Sequence, residues 1–94
     1  MAFLILDPTV FLSEGILLED VFLDKAQTFD WQSYAGKSVL VRGCNSAIFP
    51  PWAFMYIAAR LTQVASSIRF GNEHDNIVVY RSPEKDRQKI GEQL

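Results

Sequence analysis

The 94-residue chain holds one cysteine and one histidine, Cys44 and His74. A single cysteine excludes an intrachain disulfide framework, and a free thiol suits a reducing compartment. Basic excess is missing too, with 9 Lys and Arg against 11 Asp and Glu and a formal net charge of −2. Arg42, Arg60, Arg69 and Arg81 are spread along the chain, which leaves no nucleic-acid footprint. No apolar run reaches the roughly 18 residues that a membrane span needs. Met1 to Leu6 has no basic n-region and no small-residue cleavage site, so it does not read as a signal peptide. These absences predict a cytoplasmic protein that binds neither nucleic acid nor membrane. The glycines form no phosphate-cradling spacing, and no serine stands in a nucleophile elbow.

What the chain does have is hydrocarbon. Apolar residues make up 49% and aromatics 13%, too rich for a disordered segment. Ninety-four residues fit one domain, 1–94, but a domain this small shelters large side chains poorly. A homo-oligomer is the natural expectation. Charge is uneven: residues 1–35 carry six acids and one base (−5), and residues 36–94 carry eight bases and five acids (+3). That split suits an acidic solvated helix and a basic tail, or head-to-tail attraction between subunits.

The elements follow from periodicity. Phe3 to Leu6 is a short apolar run stopped by Asp7-Pro8, so residues 1–8 are an N-terminal strand or a docking arm. Thr9 to Leu18 is ambiguous. From Leu18, apolar positions recur at Val21, Phe22, Ala26 and Phe29, with Lys25 on the same stripe and Glu19, Asp20 and Asp24 off it. This predicts an amphipathic helix closed by the turn Asp30 to Gly36, with Gly36 at a positive φ. Val39 to Val41 is a strand ended by Gly43. Pro50-Pro51 opens a second helix, apolar almost all round from Trp52 to Val64 and therefore expected to be buried on most sides. Trp52, Phe54 and Tyr56 read as core and subunit interface. Ile68 to Phe70 and Ile77 to Tyr80 are strands, and 83–94 is a polar C-terminal tail. Fold class is α/β: a small mixed sheet with a right-handed βαβ unit at about 37–70, one buried helix and one amphipathic helix.

That topology carries the one place where the sequence offers chemistry. In a βαβ unit the loops after both parallel strands lie at one edge of the sheet. Cys44 follows the first strand and precedes a helix; His74 follows the second. A thiol near a helix N-terminus is biased toward thiolate, the form that attacks or binds metal. The imidazole can ligate a metal, act as a base toward Cys44, or hydrogen-bond Asn45. Asn72, Glu73 and Asp75 are at hand as orienting groups or oxygen ligands. From the residues alone, a buried apolar Cys44 and a solvated His74 are the plainer readings. One Cys and one His cannot complete a tetrahedral zinc site, so a metal needs acids, water or a second subunit.

Four segments carry a resemblance: Gly15-Ile16-Leu17-Leu18, Phe29 through Lys37 (FDWQSYAGK), Ala47 through Met55 (AIFPPWAFM) and Ser67 through Gly71 (SIRFG). Together they resemble the bacterial family of domain of unknown function 2480, over about residues 10–80. Typical members are nearly twice this length and internally duplicated. Gly43-Cys44-Asn45 is similar to one of their Gly-Cys-Ser spots. Gly71-Asn72-Glu73-His74 occupies another, with histidine where that half of the family shows cysteine. The resemblance implies that a single-unit chain forms a two-fold homodimer reproducing the duplicated arrangement, with Cys44 and His74 of both copies as a four-ligand set. A thiol and imidazole set accepts zinc or iron. The family also implies, through gene neighbourhood, an accessory role in iron–sulfur cluster assembly. The leading expectation is thus a dimeric metal-binding or accessory module with Cys44 and His74 as ligands, supported by Asn45, Glu73 and Asp75. A thiol-dependent enzyme or persulfide carrier using Cys44 with His74, and a plain module for binding a protein partner, are the alternatives.

Overall fold

The computed structural model describes residues 3–43 and 49–83. Strand β1 (Leu4–Leu6) leads through a short 3-10 turn (Pro8–Phe11) to helix α1 (Glu19–Thr28). A second 3-10 turn (Trp31–Tyr34) precedes β2 (Ser38–Arg42); helix α2 (Pro51–Leu61) then precedes β3 (Ser67–Gly71) and β4 (Asn76–Arg81). The four strands form one sheet in the order β1-β2-β3-β4. β1 with β2 and β2 with β3 are parallel, and β3 with β4 is antiparallel. Within the apolar run Phe3–Leu6, Leu4–Leu6 is the edge strand β1 of this sheet. β2, α2 and β3 are the expected βαβ unit, within a four-stranded mixed sheet with two helices.

Alternation along the strands decides which side is dry. Leu6, Val39, Val41 and Ile68 belong to one buried cluster with Phe22 and Ala26 of α1 and Ala53, Ile57 and Leu61 of α2. Both helices thus cover the same face of the sheet. On the other face Leu40 is also buried, flanked in register by Ile5 and Arg69, while Ser38 and Ser67 share a 2.7 Å hydroxyl contact.

Under α1 the core is aromatic. Phe11 meets Phe22 edge-on at 5.4 Å and stacks on Trp31 at 5.9 Å, and Phe29 meets Trp31 at 4.8 Å. The buried indole has a partner, since Trp31 Nε1 donates to the Ala26 carbonyl at 2.8 Å. Arg60 of α2 lies over the Trp31 ring at 5.6 Å, an arrangement worth ~0.5–1 kcal/mol when solvent-accessible. Lys25 has a reason to sit on the apolar stripe of α1: its ammonium donates to the Leu12 carbonyl at 2.9 Å. Gly36 adopts φ +71°, as its turn requires.

Helix α2 departs from expectation. It starts at Pro51 with Pro50 as N-cap, as read from the sequence, but it ends at Leu61 and buries only the stripe Ala53, Ile57, Leu61. Met55 is 72% exposed and Trp52 40%. Its all-round hydrocarbon was expected to mean burial on most sides; on this helix one side is buried and Trp52 and Met55 stay exposed. No helix among the described residues is long and apolar enough to cross a membrane.

Candidate functional site

Two regions stand apart on the surface: the sheet edge that the sequence singled out, and a groove that it did not.

At the edge, parallel pairing brings the ends of β2 and β3 together. The Gly43 amide donates to the Gly71 carbonyl at 3.0 Å, and Arg42 forms an ion pair with Glu73. The loop from β3 to β4 is built on Asn72. Its Oδ1 accepts from the His74 and Asp75 amides, each at 2.8 Å, and its own amide donates to the Asp75 carbonyl at 3.0 Å. Asn76 Nδ2 closes back on the Asn72 carbonyl at 2.7 Å and Asn76 Oδ1 accepts from Arg69. Only glycine fits at 71, where φ is +138° and a Cβ would stand 2.3 Å from the Asp75 carbonyl oxygen.

This loop holds His74 out in solvent with Asp75 beside it. Glu73 is committed to Arg42, whose own Nε is buried and has no hydrogen-bond partner. Cys44 and Asn45 lie outside the described residues. Of the five residues singled out from sequence, His74, Glu73 and Asp75 therefore share one loop at the C-terminal edge of β3, beside the end of β2. Among the described residues, no group of three or more His, Cys, Asp or Glu side chains could hold a metal ion.

The groove runs along the helix-covered face between α2 and the β3–β4 hairpin. It holds about 400 Å³ and every lining residue among the described ones is apolar, including Val41, Phe49, Phe54, Met55, Phe70 and Val79. Phe54 meets Phe70 edge-on at 5.1 Å and Phe49 at 4.6 Å, so rings form its floor and wall. The groove opens onto β4, where Ile77 is 64% and Val79 51% exposed. Such a site can shelter hydrocarbon, and among the described residues its lining offers no group for acid–base or nucleophilic chemistry. The signal for it was present in the sequence as Ile77-Val78-Val79, an unbroken apolar run after a hairpin loop. A strand with one solvated face alternates instead.

No curated protein and no solved structure matches the chain. The family model described as "Protein of unknown function (DUF2480)" matches residues 2–85, a span that holds both helices, all four strands, the Asn72 loop and the groove. By that match the chain belongs to the DUF2480 family.

Proposed function

We propose that the chain is a protein-interaction module that works as a homodimer, with the groove between α2 and the β3–β4 hairpin as its association surface. The groove carries this reading: a hydrocarbon-lined cleft continuous with an exposed apolar edge strand. Contiguous apolar surface of that kind marks a contact site in soluble proteins. A second copy supplies matching hydrocarbon, because each copy brings the same edge. The free thiol suits a reducing, cytoplasmic setting. Sedimentation velocity over a concentration series tests the reading. A dimer is expected, weakened by Met55→Lys, with the fold preserved because Met55 is mostly exposed. A monomer at every concentration would sink it.

A second reading keeps the edge as a metal site. The Gly43–Gly71 hydrogen bond favours it, because it joins the strand that leads to Cys44 and the strand that leads to His74. Cys44 and His74 are the ligands in this reading, Asn45 and Asp75 orient them, and zinc or iron is the ion. An accessory role in iron–sulfur cluster assembly would follow from such a site. Metal analysis of the purified protein, beside Cys44→Ser and His74→Ala, tests it. Stoichiometric metal lost in both variants is expected; equal content in all three preparations removes the reading.

A further inference from the structure

Among the described residues the sheet has two open edges, and they differ. β1 has three residues and is closed off by Asp7-Pro8, the short, proline-blunted kind of edge that resists pairing. β4 has six residues, and its centre is Ile77-Val78-Val79. All three side chains are exposed, and Val79 also lines the groove.

The two ends of β4 carry opposite charge. Asp75 precedes the strand and Arg81 ends it, both exposed. Neither has an ion pair among the described residues. Antiparallel self-pairing sets the acidic end of each strand against the basic end of the other, twice. Parallel pairing would set like against like.

We infer that two copies join through β4, antiparallel about a two-fold axis at Val78, so that their sheets continue as eight strands. This rests on the homodimer reading and specifies its seam. In this register Ile77 faces Val79 of the partner subunit, and Asp75 faces Arg81 of the partner subunit. The pairing supports the centre, because Ile77 lies opposite Phe70, which lines the groove, and Val79 lines it too, so both belong to one face. That face holds the groove, so the partner's hydrocarbon extends its floor. The extra residue in β4 opposite the Ile68/Arg69 step is a bulge that bends the strand. A bent edge suits closed pairing with one copy better than flat stacking of many.

The seam sets the two Asn72 loops apart: β4 starts at Asn76, two residues from the axis, so at ~3.3 Å rise per residue the two strand starts stand roughly 13 Å from each other.

Two measurements test the seam, both on the full chain. Residues paired on the axis have Cα atoms ~4.5–5.5 Å apart, within disulfide reach. Val78→Cys in a Cys44→Ser background is expected to cross-link as a dimer under mild oxidation, while the exposed control Val10→Cys does not. Arg81→Glu and Asp75→Arg are each expected to weaken self-association roughly two- to thirtyfold, the range for two solvent-exposed pairs. The double variant recovers wild-type affinity. A dimer by sedimentation without the Val78→Cys cross-link overturns the seam and leaves the homodimer standing. A cross-link without recovery in the double variant overturns the Asp75–Arg81 register. A monomer throughout overturns the seam and the homodimer together.

Discussion

The two ends of the sheet are made of the same kinds of residue and end differently. At the β1–β2 end, Leu6, Phe11, Phe22 and Trp31 are all but removed from solvent. At the β3–β4 end, Phe70, Ile77 and Val79 stay open although they are just as apolar. The first end is covered by α1 and its flanking 3-10 turns, and no described element past α2 covers the second. Hydrophobic composition therefore says how much shelter a chain needs; topology says how much of it the chain supplies by itself. What is left over is the surface available to a partner.

The largest expected effect comes from breaking the sheltered end. Phe22 touches Phe11, Phe49, Trp52 and Tyr56 with its ring and is fully buried. Phe22→Ala should cost ~3–5 kcal/mol in denaturant unfolding. An equal loss in Met55→Ala would erase the contrast between the two ends, because that exposed residue should cost no more than ~0.5 kcal/mol.

Next is Gly71→Ala, which tests whether the open end is rigid despite its exposure. A methyl group collides with the Asp75 carbonyl at a backbone angle alien to alanine, and ~1–3 kcal/mol of strain is expected. Unchanged stability would mean that the Asn72 loop yields freely.

Smaller in stability but sharper in meaning is Ile77→Ser with Val79→Ser. Monomer stability should shift by ~0.5 kcal/mol or less, while self-association in sedimentation disappears. If the dimer survives this pair, the open edge is not where hydrocarbon finds its cover.

The smallest effect belongs to titration at the sheltered end. The Asp7 carboxylate is held below its ordinary value of 3.8 by the Thr9 amide and then the Thr9 hydroxyl, burial opposes this, and the Arg42 charge assists. A carboxyl lowered in the fold adds stability above its unfolded value, and that stability is lost as pH falls through the folded one. Asp7→Asn should therefore flatten the acid limb of a stability–pH curve below about pH 4. Tyr34 is the opposite case: burial, then the Asp30 charge, pushes its hydroxyl above 10.0. Its contribution is present below pH ~10 and lost as pH rises through the folded value. Tyr34→Phe should blunt the alkaline limb.

Much of this architecture could be read from residues. The Leu18–Phe29 stripe, the positive-φ Gly36, the Pro50-Pro51 helix start and the βαβ order all rest on local rules, and each is present. Less legible was the stretch from Thr9 to Leu18. Phe11 there turns inward on a 3-10 turn whose N-cap Asp7 is satisfied by Thr9, and so short a turn has no periodicity to detect. The groove was missed for a different reason: hydrocarbon around a helix looks alike whether the same chain or another one covers it. At the candidate edge, the nearness of the β2 and β3 ends followed from topology. The Arg42–Glu73 pair did not, since it joins side chains 31 residues apart.

One feature reaches back to synthesis. The strands lie in space in the order in which they are made, so each new strand finds its place beside the one before it. A chain emerging from the ribosome lays this sheet down from one border to the other and never has to part strands already joined. Of the described strands β4 is laid last, so its border is the newest of the sheet and the last to find its place.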